Sequence, residues 1–215
     1  MLDALIALHD YDTEQTYERI GESFKLLDIE QNELVGHAQN LRKVNYAFCR
    51  SFANSIIKGD SDYRNIEHMS DRAKQFANAK LPAGLPANFS LAYGHRIKQQ
   101  EANMLAQLAE GNRRAIMHIW CPTDYELIKP GSVFRGEFAC TSSLQLFVRD
   151  GGLNMHVHMR SSNAYSILPI DIFNFTELQK HYADTLGLYY ASFSISFGSL
   201  HLFKKDLQKA KNICR

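Results

Sequence analysis

Asp150-Gly151-Gly152 stands between two strand-like runs, residues 144–149 and 153–160, and so predicts a tight hairpin. A paired unit of this kind commits the C-terminal half to sheet. Residues 115–120 supply a further strand-like run upstream, and residues 191–197 alternate like a strand downstream. Between hairpin and last strand, residues 173–186 carry a helical period that ends at Gly187, a natural C-cap. The N-terminal half reads as helix. Residues 2–8 place Leu2, Leu5, Ile6 and Leu8 in one short segment. Thr13 is in position to cap a second helix, with Tyr17, Ile20, Phe24 and Leu27 as its apolar face and Gly21 inside it. Residues 41–57 carry a helix-spaced stripe of Leu41, Val44, Phe48, Phe52 and Ile56 that stops at Gly59. Residues 60–88 contain Pro82, Gly84 and Pro86 and read as a loop-rich connection. Residues 99–109 form an amphipathic helix through Ala102, Leu105 and Leu108, closed by Gly111, and residues 204–213 form a terminal helix. Helices first, then mostly sheet with one intervening helix, define an α+β domain.

A chain of 215 residues, with 13 Phe and 10 Tyr for its core, fits one domain spanning residues 1–215. Its formal charge of +1 argues against direct nucleic-acid binding, which asks for a strongly basic surface. Cys49, Cys121, Cys140 and Cys214 show neither CxxC pairing nor zinc-ribbon spacing. No basic region precedes the apolar residues 2–8, Asp3 interrupts them, and no run approaches 18 apolar residues. No membrane span is expected, and the cytoplasm, where thiols stay reduced, is the expected compartment.

The chemistry-bearing residues gather around Cys140, which leads through the hairpin to Met159-Arg160-Ser161-Ser162-Asn163 and then to Leu168-Pro169-Ile170-Asp171. A cysteine beside an arginine can be held as the thiolate, the form that attacks electron-poor carbon; a lone cysteine is also a small core residue. Arg113-Arg114 at a loop–strand junction suits a bidentate phosphate contact or a solvated turn. His156 and His158 share one face of a strand, and with His118 they make a metal site conceivable, although no acidic ligand stands at a recognisable spacing. Asp171 lies in an apolar run, where a carboxyl must be paired, bind something, or cap the following helix.

Together these pieces resemble the thymidylate synthase superfamily and its pyrimidine-nucleotide hydroxymethylases. Tyr93-Gly94-His95-Arg96 is similar to the family's Tyr-Gly segment, and Arg113 through Trp120 to its Arg-Arg-x-x-x-x-x-Trp strand. Cys140 with Gln145 matches the nucleophile segment and its Cys-x4-Gln spacing. Arg160-Ser161 matches the Arg-Ser pair, Leu168-Pro169-x-Asp171 the pocket segment, and Ser199 through Phe203 the late His-x-Tyr segment.

The resemblance implies a thymidylate synthase-like fold, a mixed sheet flanked by helices, and a homodimer that shares arginines across its interface. It implies that Arg160 and Ser161 hold the phosphate of a pyrimidine nucleoside monophosphate (dCMP, CMP or dUMP), with Arg113 and Arg114 given by the other subunit and Arg19 as a further arginine. Cys140 would add to C6, His201 would bind the sugar hydroxyl, Gln145 and Asn163 would line the nucleotide site, and 5,10-methylenetetrahydrofolate would give the carbon. Asp171 stands where thymidylate synthases have Asn and cytidylate hydroxymethylases have Asp. That points to a (deoxy)cytidylate 5-hydroxymethylase. The alternatives are dUMP methylation and a noncatalytic nucleotide-binding homologue. Phe52 occupies the place of the family's catalytic glutamate, with Ser55 in place of an aromatic, Asn163 of an aspartate, Ile167 of a glycine and Phe203 of a tyrosine.

Overall fold

The computed structural model describes residues 2–26, 45–60, 62, 93–131 and 138–213. Its elements are α1 (Leu2–Ala7), β1 (Tyr11–Asp12), β2 (Thr16–Ile20), β3 (Ser23–Leu26), α2 (Tyr46–Lys58), α3 (Tyr93–Ala109) and β4 (Ala115–His118). A short 3-10 turn (Pro122–Asp124) and α4 (Tyr125–Ile128) precede β5 (Thr141–Arg149), β6 (Gly152–Asn163), α5 (Leu168–Leu186) and β7 (Tyr189–Phe203). A second 3-10 turn (Lys204–Asp206) and α6 (Leu207–Ile213) close the described chain. Leu27, Leu41, Val44, Cys214 and most of the segment 60–88 lie outside the described residues.

Seven strands form one sheet in the order β1-β2-β7-β6-β5-β4, with β3 also on β7. All neighbours are antiparallel except β6 and β7, which run parallel with α5 as their crossover. This is the expected α+β arrangement with a mixed sheet. The hairpin forms as its sequence requires: Arg149 pairs with Gly152, and the two residues between them take positive φ, 51° at Asp150 and 78° at Gly151.

One expected element is replaced. Residues 13–26 form two strands instead of a helix capped by Thr13. The Thr13 hydroxyl accepts from the Thr16 backbone N–H at 2.9 Å and bonds the Thr16 hydroxyl at 2.8 Å, which makes a tight turn. Gly21 takes φ +71° and breaks the segment, so β2 and β3 lie end to end along β7. An open edge on β7 recruited residues whose apolar spacing fits either period.

Two helices start earlier than their apolar periods suggest. α3 begins at Tyr93, and α5 begins at Leu168 with Pro169 in its first turn. Asp171 therefore lies inside the first turn of α5, whose N-cap position is Ile167, and is not itself the cap. α2 ends at Gly59 and α5 at Gly187, both in left-handed conformation, as expected.

The alternation of the strands divides the sheet into two faces. Leu144, Leu146, Met155, Val157, Phe193 and Ile195 are buried against α2, α3 and α5. The other face is polar in its middle rows: Gln145, His156 and Ser194 stand abreast, as do Ser143, His158 and Ser196. His156 bonds Ser194 at 2.6 Å and Ser196 at 3.1 Å, and His158 bonds Ser196 at 3.0 Å, so serine hydroxyls engage these rings. Among the described residues, no group of three or more His, Cys, Asp or Glu could hold a metal ion, and no helix is long and apolar enough to cross a membrane.

Candidate active site

The C-terminal ends of β6 and β7, the start of α5 and one side of α2 enclose a cavity of about 510 Å³. Cys140, Arg160, Ser161, Asn163, Asp171 and His201 all line it, although the sequence spreads them over sixty positions and more. Phe52, Ile56, Phe138, Phe175, Ile167 and Phe203 supply apolar wall, and Tyr93, Ser166, Asn174, Lys205 and Asp206 complete it.

Cys140 precedes β5, and its segment is tied from two sides. The Tyr93 hydroxyl accepts from the backbone N–H groups of Cys140 and Thr141, each at 3.1 Å. The Arg160 N–H donates to the Cys140 carbonyl at 2.8 Å. The Arg160 guanidinium then reaches back along the same segment, giving Nε–H to Ala139 O at 3.0 Å and an Nη2–H to Phe138 O at 3.3 Å, with its carbon 5.6 Å from the Trp120 ring centre. Arginine and thiol are thus part of one braced unit. Burial pushes the Tyr93 hydroxyl well above its ordinary range, with the neighbouring Cys140 and Asp171 adding to the rise. Tyr93 therefore stays a neutral acceptor for the nucleophile segment.

Across the cavity the parallel pairing of β6 and β7 sets Asn163 beside His201. The Ser161 hydroxyl meets His201 Nδ1 at 3.2 Å. Burial lowers the His201 pKa, Glu18 raises it and Arg160 lowers it, so the ring favours its neutral form. Asn163 Oδ1 accepts from the N–H groups of Tyr165 at 2.9 Å and Ser166 at 3.1 Å, which turns the chain from β6 into α5 and leaves Nδ2 to donate elsewhere.

Asp171 and Asn174 lie one turn apart on α5 and both face the cavity. Asp171 Oδ2 and Asn174 Oδ1 are buried with no hydrogen-bond partner among the described residues. Desolvation pushes the Asp171 carboxyl up to about 8. The residue opens on the cavity, so a ligand that fills the space would deepen that desolvation.

Four expected site residues are not among those that line the cavity. Gln145 lies on the opposite sheet face, and its Nε2 donates to the Arg113 carbonyl at 2.9 Å. Arg113 and Arg114 are exposed in the turn before β4, where the Arg114 N–H donates to Asn112 Oδ1 at 2.8 Å. Arg19 pairs with Glu22 at 2.6 Å on the β2–β3 turn and is likewise not among the lining residues. Conversely, sequence reasoning gave no role to Asn174, Lys205 or Asp206. The three-residue step from Asp171 to Asn174 on a helix was the available signal for the first. The other two follow from the tail of β7 only once its pairing with β6 is known.

The thymidylate synthase family model matches residues 41–215. A protein of Methanopyrus kandleri provisionally named a thymidylate synthase is 28% identical over 127 residues, a match that covers 55% of this chain and 57% of that relative. The match thus spans little more than half of either chain.

Proposed function

Because the chain belongs to the thymidylate synthase family, whose members transfer one-carbon groups, we propose that it acts at C5 of a pyrimidine nucleotide. The observation that carries this reading is the convergence of Cys140, Arg160, Ser161, Asp171 and His201 on one cavity. Cys140, as the thiolate, adds to C6 of the base and makes C5 nucleophilic. Arg160 and Ser161 hold the phosphate. His201, neutral and set by Ser161, meets a sugar hydroxyl. The protein works as a homodimer, and Arg113 and Arg114, which stand away from their own chain's cavity, reach the phosphate of the partner's site.

Asp171 selects the base. Its carboxyl meets the N3 and exocyclic-amine edge of cytosine, which makes the reaction a (deoxy)cytidylate 5-hydroxymethylation in which water quenches the exocyclic methylene. The co-substrate that fits is 5,10-methylenetetrahydrofolate. Phe52, Ile56, Phe138 and Phe203 offer apolar surface for a flat heteroaromatic ring beside the polar nucleotide half. When bound, it supplies the carbon.

Phe52 favours a second reading. It is 6% exposed, packs against Phe48 at 5.8 Å and puts a core side chain where the family carries its glutamate. A noncatalytic nucleotide-binding homologue has no need of that acid. Tritium release from C5-labelled dCMP, CMP and dUMP, with and without methylenetetrahydrofolate, separates the readings. Folate-stimulated release from a cytosine nucleotide is expected, and dUMP as the preferred substrate would mark ordinary methylation. A folded protein that binds nucleotide and releases nothing would be the noncatalytic homologue. Cys140→Ser should abolish release, at least ~10³-fold, while nucleotide still binds.

A further inference from the structure

The end of β7 and the turn after it build one wall of the cavity. His201, Phe203, Lys205 and Asp206 follow one another along that stretch, and all four line the space. Contacts join them. The His201 and Phe203 rings meet edge to face at 5.1 Å, and Lys205 Nζ lies 5.1 Å from the centre of the Phe203 ring. His201, the first of the four, is the residue assigned above to a sugar hydroxyl.

This wall is uneven in what it can bond. The Ser161 hydroxyl engages His201 Nδ1 at 3.2 Å, which leaves Nε2 for a ligand. Phe203 presents no polar atom, and the exposed Lys205 lays its ammonium against that ring. The strong acceptor on the stretch is Asp206. It stands just before α6, in the place of a helix cap, but its side-chain partner among the described residues is the Lys209 ammonium. That pair is 3.6 Å long, beyond hydrogen-bond reach, and the lysine is 67% exposed while the Asp206 side chain is 14% exposed. A largely buried carboxylate so weakly matched keeps both oxygens able to accept.

We propose that Asp206 reads the sugar: its carboxylate accepts from the neighbouring 2′- and 3′-hydroxyls of a ribose, so that the substrate is the ribonucleotide CMP and not dCMP. The inference rests on the pyrimidine-nucleotide reading above. Two hydroxyls on adjacent carbons offer two O–H donors side by side, and a carboxylate offers two oxygens in one plane, so two charge-assisted bonds close together. Acidic side chains hold ribose in dinucleotide sites by the same chemistry. With Nδ1 accepting from Ser161, His201 Nε2–H donates to the 3′-oxygen, whose own O–H turns to Asp206. A deoxyribose has no 2′-donor and leaves one carboxylate oxygen unmatched. The negative charge also fixes the sense of binding, since it repels the phosphate toward Arg160 and Ser161 and leaves a neutral sugar undisturbed.

The test is the affinity of the protein for CMP and dCMP by titration calorimetry, with exchange of tritium from the C5-labelled nucleotides run in parallel. Wild type should bind CMP about 10–100-fold more tightly than dCMP. In Asp206→Ala that preference should collapse to within about threefold, chiefly through weaker CMP binding. Lys209→Met removes the ion pair alone and should keep the preference. Wild type that binds dCMP as tightly as CMP overturns the assignment, as does an Asp206→Ala variant that weakens both nucleotides equally. A preference lost as fully in Lys209→Met as in Asp206→Ala would assign the effect to the α6 contact and overturn it too. The C5 reading is judged separately, by exchange. Exchange that disappears in Cys140→Ser upholds that reading whichever sugar is preferred, and CMP preference without exchange upholds the sugar assignment while striking C5 transfer. Failure to bind either nucleotide overturns both.

Discussion

Two helical walls of the cavity, α2 and α5, differ in kind. α2 presents Phe52 and Ile56, buried and continuous with the core. α5 presents Asp171 and Asn174, each with an oxygen that lacks a partner among the described residues. One side is held by packing and has no chemistry to offer. The other carries unsatisfied polar groups, which persist in a folded protein when a ligand completes them. The two sides should respond to different perturbations.

Removing the apolar side should give the largest effect on stability. Phe52→Ala should cost about 3–5 kcal/mol through lost burial and the cavity left behind, by the same amount from pH 5 to pH 9. Urea midpoints at several pH values measure it, and a strongly pH-dependent loss would show that the apolar side is electrostatically coupled after all. The polar side should behave in the opposite way. Asp171 is raised to about 8 in the folded protein from an ordinary carboxylate value. Between those values the native state holds a proton that the unfolded chain has lost, so this group's stabilisation is fully present below about pH 4 and drains away as pH rises through 8. Asp171→Asn should flatten that slope. Its advantage over wild type should grow from near zero at pH 4 to at most ~6 kcal/mol at pH 9, since each tenfold change in proton affinity is worth up to ~1.4 kcal/mol. Equal slopes in the two proteins would mean that Asp171 is ionised.

Tyr93 tests the brace between the sides. Tyr93→Phe removes the acceptor for the Cys140 and Thr141 N–H groups and should cost about 1–3 kcal/mol, together with a slower C5 exchange. A stability loss without a loss of exchange would separate the brace from the nucleophile. Ile56→Val should be the mildest change, about 0.5–1.5 kcal/mol, with an exchange pH profile that overlays wild type. A shifted profile would place the α2 side inside the proton chemistry.

Much of this could be read from the chain. The hairpin at Asp150-Gly151, the C-caps at Gly59 and Gly187 and the strand faces of residues 144–160 are local, since backbone sterics and two-residue alternation write them into neighbouring positions. Where apolar spacing fitted both periods, as in residues 13–26, the open edge of β7 decided for strand. The order of Tyr93, Arg113, Cys140, Arg160, Asp171 and His201 was legible as a family pattern. That Gln145 turns to the other sheet face was also within reach, because it alternates with the buried Leu144 and Leu146.

The sequence by itself determined which residue types could do chemistry: thiol, guanidinium, imidazole and carboxyl. It did not determine how burial shifts the Asp171 carboxyl or what holds the thiol. Tyr93 reaches Cys140 across 47 positions, and the upward shift of the Asp171 carboxyl comes from its burial in the folded chain. Covalent identity and periodicity act over a few residues. Desolvation and cross-element hydrogen bonds exist only after distant segments have packed, and tertiary structure alone decides them.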